Sequence, residues 1–178
     1  MLFRDLLNLP FNCESNTISL DALESVVDSP IEVVQQVFVD HGRKAEFQSQ
    51  YGNLNLISIS WYKEAITGAD LVESSHFEGF DHWYNTVRHR GVLVATKGWS
   101  CIDTRKSVIE YWAANLTWRT RPVLIDGTLV NRPSKFHLVE GHTRVGLLAG
   151  LIDVGILDKS TTHEVWIGRY VALDPCEF

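Results

Sequence analysis

The sequence predicts an α+β fold, in which a helical N-terminal part packs on a small mixed sheet with helices. Two observations lead to this prediction. Apolar residues recur at helical spacing through much of residues 1–90, whereas short β-branched runs alternate with a helical pattern from about residue 121 onward. We expect a division into residues 1–90 and 91–178, with one core shared between the two parts.

The clearest N-terminal helix is predicted for "DSPIEVVQQVFVDHG", residues 28–42. Ser29 can cap this helix, and Pro30 suits its first turn. Residues 1–27 indicate two short helices around a loop. Further helices are predicted for 43–52, 77–91 and 103–118, while residues 53–68 fit neither the helical nor the strand period.

Four segments predict strands. "GVLVAT" (91–96) is a short buried strand, and "RPVLIDGTLV" (121–130) contains two β-branched runs joined by Asp126-Gly127, a hairpin signal. "KFHLV" (135–139) and "HEVWIGRYV" (163–171) complete the set. Between them, residues 143–157 predict a helix. The spacing of its Gly146 and Gly150 either lets another element pack closely or has no structural meaning.

The composition excludes several classes of protein. A net charge of -6 over 178 residues argues against non-specific coating of nucleic acid, which depends on neutralising phosphates. Cys13, Cys101 and Cys176 form no CxxC pattern, so we expect free thiols in a reduced, cytoplasmic protein. No apolar run is long enough to predict a membrane span.

The main candidate site is the strand-to-helix corner "EGHTR", Glu140–Arg144, called the corner below. Gly141 permits a positive φ and close approach of a ligand to the backbone. Unpaired N–H groups at the start of the following helix favour an anion, and Thr143 and Arg144 add donors suited to phosphate oxygens.

Two interpretations of the corner follow from its chemistry. Arg144 stands in the first helical turn, where a cation is unfavourable, so an anionic ligand would explain its presence. Glu140 would then bind Mg²⁺ or a ribose, or act as a catalytic base. Alternatively, Arg144 bridges to a nearby carboxylate such as Glu140, and the corner is only a tight turn.

The segments "RPVLI" and "FHLVEGHTRVGLLAGL", with the helix predicted before them, resemble the core of the ParB/sulfiredoxin superfamily over residues 105–152. In that superfamily a strand ends in Gly-x-x-Arg, and this turn grips nucleotide phosphates. The resemblance implies a nucleotide-binding or phosphate-binding protein, with a nucleoside triphosphate and Mg²⁺ as cofactors and phosphotransfer as an activity to test.

Gly141 and Arg144 match the phosphate-gripping positions, and His142 and Thr143 complete the implied binding turn. His142 stands where sulfiredoxins have their catalytic cysteine, so the resemblance does not extend to sulfiredoxin chemistry. The second Arg-bearing helix and the helix-turn-helix of ParB proteins are not visible, which argues against DNA segregation.

Other polar clusters favour structural roles. His137, Glu140 and His142 would need a further ligand, such as His163 or Asp126, to hold a metal, so no metal site is predicted. The basic residues Arg119, Arg121, Arg132 and Lys135 form either a solvated face or an extension of an anion pocket at the corner.

Two functions are compatible with the sequence. The first is nucleotide or phosphate binding at the corner. The second is a non-catalytic immunity or antitoxin protein, whose acidic charge would neutralise a basic toxin partner. The complete Gly-x-x-Arg turn favours nucleotide or phosphate binding. The excess of acidic residues, together with the lack of an evident general base, favours the immunity or antitoxin function.

Overall fold

A computed structural model describes residues 1–24 and 26–170. The chain begins with a 3₁₀ helix (Phe3–Asn8) and a small hairpin of β1 (Phe11–Asn12) and β2 (Thr17–Ile18). Helices α1 (Leu20–Glu24), α2 (Ile31–Val33) and α3 (Ala45–Tyr51) follow. Helix α2 continues directly into a π-helix over Val34–Val39.

From residue 59 to residue 170, the chain contains five strands and four α-helices. The elements are β3 (Ile59–Thr67), α4 (Gly68–Val72), β4 (Ser75–His76), α5 (Asp81–Lys97), α6 (Lys106–Asn115), β5 (Val123–Asp126), β6 (Phe136–Glu140), α7 (His142–Asp153) and β7 (Thr162–Tyr170). Short 3₁₀ helices at Leu56–Ser58, Glu78–Phe80, Trp99–Cys101 and Gly127–Val130 lie between them.

A mixed five-stranded sheet organises the molecule, with the strand order β3-β7-β5-β6-β4. Strand β7 pairs antiparallel with β3 and parallel with β5. Strand β6 pairs antiparallel with β5 and parallel with β4. The α+β class is therefore confirmed.

Hydrophobic residues cover both faces of the sheet. Leu124 of β5 packs with the residues of α5, α6 and α7, whereas its neighbours Val123 and Ile125 pack with the N-terminal helices. This alternation follows from the period of two in a strand. The division at residue 90 falls inside α5, and β3 of the first part pairs with β7 of the second.

Several sequence predictions are confirmed. Helices form at α3, α6 and α7, and strands form at β6 and β7. Cys13 and Cys101 are free thiols, whereas Cys176 lies outside the described residues. Residues 53–68, which the pattern left open, contain β3 at one edge of the sheet.

The predicted strand "GVLVAT" is wrong, because residues 91–96 continue α5. Their β-branched side chains suggested a strand, but Gly91 packs here against the backbone of α7. The helix ends only at Gly98, which has a φ of 74°.

The predicted hairpin at Asp126-Gly127 is also wrong. Residues 127–130 form a 3₁₀ helix, and a side chain at Gly127 would lie 1.9 Å from the Ser134 carbonyl oxygen. Strand β5 still pairs with β6, but through a longer connection.

The N-terminal segment differs from its prediction in two respects. Residues 1–27 include the β1–β2 hairpin rather than only two helices. Ser29 does not cap α2, which begins after Pro30 without a side-chain cap.

Candidate functional site

The corner is a constrained turn between β6 and α7. Gly141 has a φ of 110°, in the left-handed region that favours glycine. A Cβ at this position would lie 2.7 Å from Cβ of Pro122, so the turn also packs tightly against the start of β5. Gly141 stands at the N-cap of α7 and supplies no side-chain cap, while its carbonyl oxygen accepts from the N–H of Arg144 at 2.8 Å.

The Arg144 guanidinium is held by protein acceptors. It donates to the Thr120 carbonyl oxygen at 2.8 Å and to Oε1 of Gln36 at 2.8 Å. A longer contact of 3.4 Å joins Nη2 to Oε1 of Glu140. Arg144 therefore ties the corner to the π-helix and to the segment before β5, and it pairs with a carboxylate as the structural interpretation predicts.

Glu140 is paired on both of its oxygens. Oε2 lies 3.2 Å from Nε2 of His41, and Oε1 faces Arg144. Burial by itself would raise the pKa of Glu140, but the hydrogen bond with His41 and the charge of Arg144 lower it below its usual value. Glu140 is therefore ionised at neutral pH, and it would have to leave one of these partners to accept a proton from a substrate.

A cavity of about 410 Å³ opens beside the corner, between the first turns of α6 and α7. We call it the corner cavity. The corner contributes Glu140, Thr143 and Arg144 to the lining of this cavity. The segment before β5 contributes Arg119 and Thr120. Helix α6 and the residues next to it supply the opposite wall: Ile102, Asp103, Arg105, Ser107, Val108, Tyr111, Trp112 and Trp118.

The arginines of the corner cavity differ in their partners. Arg105 forms a two-point ion pair with Asp103, at 2.7 Å and 3.0 Å, and Arg144 pairs with Glu140. The hydrogen bonds from Arg105 lower the pKa of Asp103 to about 2. Arg119 is exposed and makes no ion pair within the described part of the chain. It is therefore the cation most available to a ligand.

Thr143 adds a donor at the first turn of α7. Its Oγ1 accepts a hydrogen bond of 3.0 Å from Nε1 of Trp83, so the hydroxyl hydrogen is left to point toward a ligand. Trp112 and Trp118 contact each other edge to face, and both contribute apolar surface to the lining of the cavity.

The corner does not direct all of its side chains into the cavity. His142 is only 5% exposed and packs against the rings of His76 and Phe80. Its Nε2 has no hydrogen-bond partner among the described residues. Of the four residues predicted to bind a nucleotide, Thr143 and Arg144 line the cavity, Gly141 shapes the turn and His142 belongs to the core.

The predicted basic cluster is divided in the same way. Arg119 lines the corner cavity, but Arg121 pairs with Glu32 and Glu164. Arg132 and Lys135 lie near Glu78 and Asp70. Only Arg119 thus extends the candidate anion site.

Of the three histidines considered as metal ligands, His142 belongs to the core as described above, and the other two also have structural contacts. His137 is fully buried and hydrogen-bonds with Tyr51 and Ser75, both at 2.9 Å. His163 hydrogen-bonds with Thr117 at 3.0 Å. In the described residues, no three His, Cys, Asp or Glu side chains are grouped so that they would hold a metal ion.

A second cavity, of about 920 Å³, lies between residues 26–30 and the edge strand β3. Asp28 is the one charged residue among its described lining residues. This lining offers no cation to an anionic ligand, so the corner cavity is the better candidate for the predicted phosphate site.

The sequence could not show the wall that α6 contributes. Asp103, Arg105 and Ser107 stand 33 or more positions before the corner, and only the packing of α6 brings them to it. Gln36 and His41 lie still farther away in the chain. The available signal was the predicted start of a helix near residue 105, which gave no indication of its neighbours.

Among the described residues, no helix combines the length and the apolar character needed to cross a membrane. Comparisons with known protein families, curated proteins and solved structures find no match to this chain. The resemblance to the ParB/sulfiredoxin superfamily therefore stays a prediction based on the residues of the corner.

Proposed function

We propose that the protein binds a nucleotide or another phosphate-bearing ligand in the corner cavity. One observation carries the proposal: residues of the Gly-x-x-Arg turn line a cavity of about 410 Å³ together with an unpaired arginine, Arg119. Small-molecule sites are commonly concave, partly apolar and supplied with a few convergent polar groups. This cavity combines those properties next to an uncapped helix N-terminus.

The proposal gives each group a role in binding. Arg119 supplies the charge for the phosphate, and the Thr143 hydroxyl donates a hydrogen bond to it. Arg144 and Glu140 hold the turn in place through their contacts with Gln36 and His41. Phosphotransfer with Mg²⁺ and Glu140 as base stays a prediction of the resemblance.

Thermal denaturation with a panel of nucleotides and inorganic phosphate, each with and without Mg²⁺, tests the proposal. A ligand at a hundredfold excess over its Kd stabilises the folded state by about 2.7 kcal/mol. For a chain of this size we expect the melting temperature to rise by about 5–10 °C. Isothermal titration calorimetry would then give the Kd.

Arg119→Gln should weaken binding by about 10- to 100-fold, because it removes a charge-assisted hydrogen bond. Lys44→Gln removes the same charge at an exposed position away from the cavity and should leave the Kd unchanged. Equal effects of the two variants, or no shift with any ligand, would contradict the proposal. Binding of a basic protein, which the net charge of -6 favours, would then be the function to test.

A further inference from the structure

The charges that line the corner cavity nearly cancel. Three arginines, Arg105, Arg119 and Arg144, face two carboxylates, Asp103 and Glu140, which leaves a net charge of +1. A triphosphate without a metal carries several negative charges. It would bring more negative charge than the net charge of +1 of the lining can neutralise. The acidic charge of the whole chain, -6, adds to that disadvantage.

The two carboxylates are also committed to arginines. Asp103 accepts two hydrogen bonds from Arg105, and Glu140 lies between His41 and Arg144. Mg²⁺ is usually bound through one or two carboxylates together with the substrate phosphates. In the corner cavity, such a metal would have to displace an existing ion pair.

Helix termini bring the local charge closer to that of one phosphate group. Ser107 in the first turn of α6 and Thr143 in the first turn of α7 both line the cavity. Each helix N-terminus contributes about +0.5 of a charge. Together with the side chains, the surroundings amount to about +2, which matches the charge of about -1.5 to -2 on a phosphate monoester at pH 7.

The remaining lining suits a flat apolar group. Tyr111 is partly exposed and presents aromatic surface to the cavity. Trp112 and Trp118, only 4% and 5% exposed, back this wall from the core, and Ile102, Val108 and Leu147 complete it. Aromatic side chains stack on any nucleobase, because each base has a π-face. The volume of about 410 Å³ lies at the lower end of the range for small-molecule sites, about 300–1,000 Å³.

From these observations we infer that the corner cavity selects a ligand with one aromatic ring system and one phosphate group, such as a nucleoside monophosphate, over a triphosphate. The inference rests on the proposed function, which requires only that some phosphate-bearing ligand binds. It adds a limit on the ligand charge and a requirement for an aromatic ring.

Calorimetric titration separates these requirements. The ligands are the adenosine, guanosine, cytidine and uridine monophosphates, the matching triphosphates with and without Mg²⁺, the free nucleosides and inorganic phosphate. We expect at least one monophosphate to bind ten times or more tightly than its triphosphate, its nucleoside and inorganic phosphate.

Tyr111→Leu removes one stacking surface and should weaken binding of the monophosphate by about 5- to 100-fold. Any affinity for inorganic phosphate should stay unchanged. The matched control is Tyr62→Leu, at an exposed tyrosine of β3 that does not line the corner cavity. It should bind as the unaltered protein does.

Two results would overturn the inference and leave the proposed function standing. One is a triphosphate that binds more tightly than its monophosphate, and the other is inorganic phosphate that binds as tightly as any nucleotide. If no phosphate-bearing ligand binds at all, the proposed function itself fails. An equal loss in the Tyr111 and Tyr62 variants would contradict the assignment of the ring to this cavity.

Discussion

Arg144 shows how one side chain can serve the fold beside a proposed ligand site. Its guanidinium joins the Thr120 carbonyl, Gln36 and Glu140, and its side chain is only 19% exposed. Burial lowers the pKa of Arg144, and the carboxylate of Glu140 opposes that effect. An arginine that appears in a phosphate-binding pattern thus also connects three parts of the chain.

Arg144→Ala should therefore destabilise the protein as well as affect binding. The substitution leaves the Glu140 carboxylate, whose side chain is 25% exposed, with His41 and without its arginine, and it removes the donors to Gln36 and Thr120. Breaking a buried ion pair from one side costs about 3–5 kcal/mol. Since the Arg144–Glu140 pair is only partly buried and Glu140 keeps one partner, we expect a loss of about 2 kcal/mol in the free energy of unfolding, measured with urea.

Arg88→Ala provides a matched control for that measurement. Arg88 forms a two-point ion pair with Asp153, but both side chains are more than a third exposed. Exposed pairs contribute about 0–1 kcal/mol. Similar losses of the free energy of unfolding in the two variants would show that the contacts of Arg144 stabilise the fold no more than an exposed ion pair does.

At the scale of elements, α5 and α7 pack closely through glycines. A Cβ on Gly150 would lie 2.0 Å from the Arg88 carbonyl oxygen and 2.9 Å from Cα of Gly91. Gly146 approaches the Tyr84 carbonyl oxygen in the same way. The two glycines that weaken helix propensity therefore allow two backbones to meet, which is one of the two alternatives that their spacing left open.

Gly150→Ala should force these helices apart. Overpacking usually costs about 1–3 kcal/mol, and contact with backbone on both sides places this variant near 3 kcal/mol. Gly155→Ala is the control, since its added Cβ meets nothing within 4 Å. Its φ of 72° should cost about 1 kcal/mol through backbone strain alone. A smaller loss for Gly150→Ala than for Gly155→Ala, by urea denaturation, would contradict this account.

The elements that the sequence predicted well are those whose local pattern agrees with their packing. Helix α7 and strand β6 combine a clear period with a turn at Gly141 that only glycine suits. The strand prediction for residues 91–96 failed because it followed their β-branched side chains. The contact of Gly91 with Gly150, 59 positions away, favours the helix instead. The corner was predicted in the same local way, but the α6 wall of the cavity depends on contacts between distant segments.

At the scale of the whole molecule, three buried histidines, His137, His142 and His163, couple folding to pH, because burial lowers the pKa of each. His137 lies in the central part of the sheet and His142 begins α7. Burial, with the charge of Arg132, lowers the pKa of His137 from 6.5 to about 4. Burial also lowers the pKa of His142 to about 4, although Glu140 acts in the opposite direction and His76, His41 and Arg144 act with the burial.

Acidification should therefore weaken the fold before the carboxylates are protonated. As the pH falls below 6.5, histidines in the unfolded chain take up protons that His137 and His142 of the folded chain do not accept until about pH 4. The free energy of unfolding should fall by about 2 kcal/mol per histidine between pH 7 and pH 5. Below about pH 4 both states are protonated, and the contribution of these two histidines stops changing.

Urea denaturation at a series of pH values measures this dependence. His142→Gln should reduce the loss between pH 7 and pH 5 by about 2 kcal/mol, because it removes one of the buried titrating histidines. His89→Gln changes an exposed histidine of α5 and should keep the full dependence. If His142→Gln keeps the pH dependence of the unaltered protein, the His142 imidazole does not contribute to the pH dependence of the free energy of unfolding. If His89→Gln alone reduces it, the effect arises at the surface rather than in the core around the corner.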